Sequence, residues 1–315
     1  MKKTEILFMK PVFTHNIWGG TKLRDDFGYA VEGDDIGECW GIAAHPNGNS
    51  MVANGRFAGE KLSDLWENHR ELFGNLQGNV YPLLIKIIDA RDNLSIQVHP
   101  DDAYAMEHEK GSLGKMECWY ILDCAPDSKL VIGHNAKNRE KLKDMIDHGR
   151  WKEFIREVPV KKGDFIQINP GTVHAIKGGI TILETQQNSD ITYRVYDYDR
   201  LANGQPRQLH KKQSLDVITV PAPSVSECVI PVEGTKANEL QKLIACEYYQ
   251  VFHMNVVEQA AFEQCYPFLN ATIVQGEGTV NGYPVKKGDH MILPYGLGRV
   301  EMKGQLELVL STVNK

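Results

Sequence analysis

Gln97 and His99, two residues apart in the stretch Leu94-Ser95-Ile96-Gln97-Val98-His99-Pro100-Asp101-Asp102, could grip one metal ion between them. Read as a strand, the stretch alternates: Leu94, Ile96 and Val98 point one way, and Ser95, Gln97 and His99 point the other. The apolar row must pack, so the polar row meets either water or a cavity in which its side chains need partners. On spacing alone an ordinary half-exposed strand with a solvated histidine is the more common case, because pairs of ligand-capable residues are common.

The elements around this stretch set what it can do. Val80 to Ala90 is an apolar, β-branched run that reads as a buried strand, closed by a turn at Arg91-Asp92-Asn93. Lys86 inside that run must either snorkel outward or reach an anionic partner. Asp101 to Lys110 reads as a helix and Lys115 to Leu122 as a strand. Between Gly59 and Leu76, Leu62, Leu65, Trp66, Leu72 and Phe73 fall at helical spacing, with Ser63 a candidate cap and His69 on the surface. Asn138 to Val158 is expected to be helical, and its apolar stripe, which includes Leu142, Ile146, Trp151 and Phe154, reads as core. The rest is short strands and glycine turns.

The 315 residues are enough for one large or two ordinary domains. A formal charge of -6 and a pI near 6.0 leave no broad basic surface, which argues against nucleic acid as a partner. No apolar run approaches membrane-spanning length, and Glu5, Lys10 and Pro11 interrupt any leader core after Lys2 and Lys3. The expectation is a cytoplasmic protein, with no membrane partner. The six cysteines form no Cys-x-x-Cys pair and read as reduced thiols, with Cys118 a packing residue.

The chain repeats itself. Lys161-Lys162-Gly163-Asp164 recurs as Lys286-Lys287-Gly288-Asp289, Phe165-Ile166-Gln167-Ile168 falls against His290-Met291-Ile292-Leu293, and Gly171 falls against Gly296. Upstream, Trp119 to Asp123 resembles Ala271 to Gln275, at an offset that makes the helical segment near 134–160 an insertion in the first copy. The fold expected is mainly β, two related barrel or jelly-roll units with short helices inserted near 59–76, 101–112 and 134–160. The first unit covers residues 1–235 and the second 236–315. In this alignment His174 falls opposite Arg299, so the second copy keeps the turn and drops the imidazole. One metal site is predicted, in the first copy.

Together, SIQVHPDD, KMECWYIL, NPGTVHAI and LETQQNSDITYRVYDYDR resemble the cupin-fold type I phosphomannose isomerases, in a short bacterial form. The resemblance runs from about residue 37 to 213 and, more weakly, through the C-terminal unit. It departs from the general cupin pattern in having Gln97 at the first histidine position and a helical excursion between His99 and Glu117; both departures resemble the isomerase branch. The resemblance implies one Zn2+ per chain, held by Gln97, His99, Glu117 and His174, and interconversion of D-mannose 6-phosphate and D-fructose 6-phosphate. Such ligands would also hold Fe or Mn, so the metal's identity rests on the resemblance.

That reaction moves a proton from C2 to C1 through an enediol-type intermediate, so it needs a base, an electrophile and a phosphate anchor. Arg194 is assigned to stabilising developing charge, as the family implies, sharing a face with Thr192 and Tyr196; a structural pairing with Asp190 or Asp197 is the competing reading. Glu184, on an apolar strand face with Ile180 and Ile182, is one candidate base, and Lys115 is the other. Ser95 and Lys86 are the candidates for holding the phosphate. A redox cupin oxygenase and a non-catalytic sugar-phosphate-binding cupin are the rival functions, and monomer and homodimer are both compatible with the sequence.

Overall fold

A computed structural model describes residues 5–314 except 233 and 235. Residue 235, where the first unit is expected to end, therefore lies outside the described residues. Antiparallel strands dominate, in large sheets of seven, five and eight strands.

In the seven-stranded sheet Ile180–Gln187 lies between Leu83–Ala90 and Glu117–Cys124. Leu83–Ala90 is buried along its whole length, as its apolar run demands. Leu83, Ile85 and Ile87 join one core, while Ile88 and Ala90 face another. The five-stranded sheet places Ile96–Val98 between His174–Ala175 and Tyr193–Tyr196. Its Leu130 and Ile132 pack with Ile88, Trp119, Ile121 and Ile182 from the larger sheet, forming the interior of a jelly roll. On its other side, Val98, Val131 and Ala175 are covered by Leu142, Ile146 and Phe154. The apolar stripe of that segment is core, as its spacing suggests.

Helices occur at Leu62–Asn68, Arg70–Phe73 (3-10) and Asp102–His108, close to their expected places. Ser63 does not cap the first of them; the flanking residue is Lys61, and the Ser63 hydroxyl accepts from Asn49 instead. The third insertion is narrower than 134–160. Only Arg139–Asp147 and Trp151–Phe154 are helical, and Ile155–Pro159 is a strand paired with Lys129–His134. Ile155 and Val158 satisfy helical spacing, but their branched side chains are used in the ladder.

The repeat holds at the level of single hydrogen bonds. Phe165 faces Tyr120 just as His290 faces Thr272. Ile121 N–H donates to Asp164 O (3.0 Å) and Ile273 N–H to Asp289 O (2.9 Å). Where the first copy inserts strands and helices, the second turns directly from Phe268–Val280 into Tyr283–Lys286 through Asn281 and Gly282, both at positive φ (47° and 82°). Asn-Gly is a sequence that such a two-residue hairpin turn strongly favours.

The eight-stranded sheet is not made from residues 236–315 alone. Leu7–Lys10 pairs with His290–Pro294 on one side and with Met51–Val52 on the other. A core including Ile87 and Leu183 from the jelly roll and Val251, Phe268 and Val309 from the C-terminal sheet joins the two units.

Candidate active site

Three strands and a glycine turn bring the polar row together. In the five-stranded sheet Gln97 faces His174 on one side and Arg194 on the other. The turn before His174 needs Gly171: its φ is 80°, its N–H donates to His99 O (2.9 Å), and a Cβ there would come 2.4 Å from Thr219 Oγ1. Glu117 opens a strand of the opposite sheet and reaches the same point.

Two backbone carbonyls orient the imidazoles. His99 Nδ1 donates to Ile191 O at 2.7 Å and His174 Nδ1 to Thr172 O at 2.9 Å. In neutral rings this puts both protons on Nδ1 and turns both Nε2 lone pairs inward. The Nε2 atoms are 3.1 Å apart, and each lies 3.4 Å from an oxygen of Glu117. The Gln97 amide nitrogen is 3.2 Å from His174 Nε2, while its Oε1 accepts from Ser95. Neither Glu117 oxygen has a directed hydrogen bond, although Lys115 Nζ lies 2.9 Å from Oε2.

Lone pairs and a carboxylate converging in a buried place are unfavourable without a cation among them, and the donor set suits a borderline divalent ion. Protonation does not supply that cation. Burial, reinforced by the Lys115 charge, pushes His99 down to about 3, and burial lowers His174 as well. For Glu117 burial works towards the neutral acid, but Lys115 and the two imidazoles outweigh it and hold the carboxylate well below its usual range. Neutral imidazoles with an ionised carboxylate are the states that bind metal.

Ser95, Gln97, Lys86, Lys115, Glu184 and Arg194 all line one cavity of about 200 Å3, together with Glu117. Glu184 faces Lys86 on one neighbouring strand and Trp119 on the other. Trp119 Nε1 donates to its Oε1 at 3.1 Å, while Oε2 is buried with no hydrogen bond. Burial, helped by the Glu117 charge and opposed by Lys115 and Lys86, raises this carboxyl to about 7. Burial would lower the Lys115 pKa, yet Glu117 and Glu184 together hold it above its ordinary value, so Lys115 is a firm ammonium.

Of the two readings of Lys86, the inward one holds. It is 3% exposed, with Nζ 3.7 Å from both Glu38 Oε1 and Glu184 Oε2 and 4.6 Å from the Trp40 ring. Ser95 is equally buried and donates to Gln97 Oε1 at 3.3 Å.

Arg194 donates to Gln208 O (2.9 Å), and its Nε is buried without a partner among the described residues. Asp197 is held by Arg200 and Arg207, and Asp190 by Asn47 and His45, so neither acid pairs with Arg194. Thr192 lines the cavity with Arg194, but Tyr196 does not share that face. A bulge sets Tyr196 opposite Ile96 directly after the Arg194–Gln97 pair, and its ring stacks on Trp151 at 4.4 Å.

Sequence reasoning missed Glu38, Trp40, Asp190 and Arg207, which also line the cavity. Glu38 carried a usable signal, an acid inside the strand Ile36–Ile42; Arg207 sits in a loop and carried none. Cys118 is packed, its thiol directed at Thr185 O. In the second copy Arg299 is exposed and bonded to Glu301, and among the described residues no second metal-capable cluster occurs.

The family model described as phosphomannose isomerase type I, catalytic domain, matches residues 6–123, and mannose-6-phosphate isomerase, cupin domain, matches 239–313. The mannose-6-phosphate isomerase ManA of Bacillus subtilis is 51% identical, over 98% of this chain and 99% of its own length. The mannose-6-phosphate isomerase of Streptococcus mutans is 43% identical, over 99% of each. A crystal structure of the mannose 6-phosphate isomerase from Bacillus subtilis superposes with a TM-score of 0.91 at 42% identity, covering 98% of this chain and all of that one.

Proposed function

The chain belongs to the type I phosphomannose isomerase family and is an isomerase of that family; on this premise we propose that it interconverts D-mannose 6-phosphate and D-fructose 6-phosphate as a zinc enzyme, through an enediol-type intermediate. The observation that carries the reading is the convergence of His99, Glu117 and His174, with the Gln97 amide, beside a carboxylate whose Oε2 is free.

Gln97, His99, Glu117 and His174 would hold the ion, which when bound supplies Lewis-acid polarisation of the sugar oxygens. Glu184 moves the proton from C2 to C1. Its free Oε2 borders the cavity, and burial holds it near the neutral range in which a carboxylate both takes and returns a proton. Lys115, an ammonium between two carboxylates, stabilises charge on the substrate oxygens and does not abstract. Arg194 acts the same way with its unpartnered Nε. Ser95 and Lys86 bind the phosphate; at 3.7 Å from each carboxylate, Lys86 has no short ion pair to give up.

The first unit, to about residue 235, holds the chemistry, and among the described residues the second offers no metal-ligating cluster. Among the described residues no helix is long and apolar enough to cross a membrane, and six unpaired cysteines suit the reducing cytoplasm in which we place the enzyme.

The test is conversion of fructose 6-phosphate to mannose 6-phosphate by purified protein, before and after chelation and with zinc restored. Activity that vanishes with chelator and returns with zinc is expected. A folded, zinc-filled protein with no conversion would overturn the reading.

A further inference from the structure

A second cavity, of about 210 Å3, lies between the two units and shares no lining residue with the catalytic one. Its walls come from equivalent positions of the repeat: Leu122 and Val274, Asp123 and Gln275, Lys162 and Lys287. The second lysine of each Lys-Lys-Gly-Asp turn therefore borders one space. Lys22 adds a third ammonium, already paired with Asp123 at 2.6 Å. Among the described residues neither Lys162 nor Lys287 has an ion-pair partner; Lys287 Nζ lies instead 4.3 Å from the Phe27 ring centroid.

Thr181 Oγ1 is the second, independent sign. Thr181 is 1% exposed, it borders the same cavity, and among the described residues its hydroxyl has no hydrogen-bond partner. A buried hydroxyl without a partner is costly, and Lys162, exposed, and Lys287, half-buried, leave positive charge at the border of the cavity with no carboxylate paired to it among the described residues. A single anion relieves both.

We propose that this cavity is a binding site for a small phosphate group, orthophosphate or the head of a phosphate monoester, with Lys162 and Lys287 as charged donors and Thr181 as the hydroxyl donor. Asp26, which also lines it, leaves the walls with one net positive charge, suited to a compact anion. The strand Glu117–Cys124 supplies Leu122 and Asp123 here and carries Glu117 at its other end, so one rigid element serves both sites.

Calorimetric titration of the metal-replete protein with orthophosphate tests this. The wild type is expected to show two classes of site, one of them catalytic. The Lys162→Gln/Lys287→Gln protein should lose the other class, at least tenfold in affinity. Thr181→Val, close in shape, should weaken it several-fold, and Lys287→Arg should keep it. Superimposable isotherms for wild type and the double variant would overturn the site. Because the readout is binding and not turnover, failure of the isomerase reading would leave unchanged the class of site that the double variant loses.

Discussion

Glu184 and Lys86 stand directly opposite one another on neighbouring strands, both buried, with Oε2 and Nζ 3.7 Å apart. The pair is close enough to hold the carboxylate in place and too long for a hydrogen bond, which leaves the Oε2 lone pairs for substrate. Glu184→Gln keeps the shape and the Trp119 contact but removes the base. Its kcat is expected to fall roughly 100- to 10,000-fold with metal content unchanged. Steady-state kinetics beside elemental analysis checks this; near-normal kcat would remove Glu184 from proton transfer.

His99 and His174 each present one Nε2 to the same point. Replacing either with alanine should abolish stoichiometric zinc, read directly as metal per chain after dialysis. A His99→Ala or His174→Ala protein that retains full zinc would break the ligand set.

Among the described residues Arg194 has no carboxylate partner, and the proposed role gives its charge to the substrate. Arg194→Ala should lower kcat/KM about 100-fold or more, as for loss of one charge-stabilising donor, while the thermal midpoint moves little. Unchanged turnover together with a large loss of stability would make it a structural residue.

His290 makes acid a stability problem at a distance from the chemistry. It is buried between units, with Nδ1 2.9 Å from Thr272 Oγ1 and Nε2 3.0 Å from Tyr29 Oη, and burial pushes its pKa from 6.5 down to about 3. Between those values the unfolded chain binds the proton and the folded one does not. This contribution is therefore intact above pH 6.5 and is lost as pH falls towards 3, amounting to about 2 kcal/mol at pH 5. His290→Gln should lose that much less stability than wild type between pH 7.5 and pH 5 in denaturant titrations; equal losses would refute the assignment.

What the sequence conveyed depended on whether the signal was local. The repeat was legible to the residue because Lys-Lys-Gly-Asp turns and the glycines at 171 and 296 fix strand ends, and strand ends fix register. The ends of the third insertion were not, since Phe154, Ile155 and Val158 fit both helical and strand periods. The bulge after Arg194 was equally hidden, because alternation assumes an unbroken ladder. Among the site residues, those on alternating strands were found, and all but the two imidazoles line one cavity. Arg207 and Asp190, which tertiary packing brings in, had no pattern to betray them.

The pairing of Leu7–Lys10 with His290–Pro294 ties the beginning of the chain to nearly its end. On a ribosome, Leu7–Lys10 must wait until His290–Pro294 has been made before it can pair. Contacts of such long sequence separation form slowly. Until then the His290–Pro294 edge, rich in Ile, Leu and Met, stands uncovered, and so it would in a fragment that begins after residue 235. Such a fragment would not be a self-sufficient domain but an open sheet edge seeking another strand.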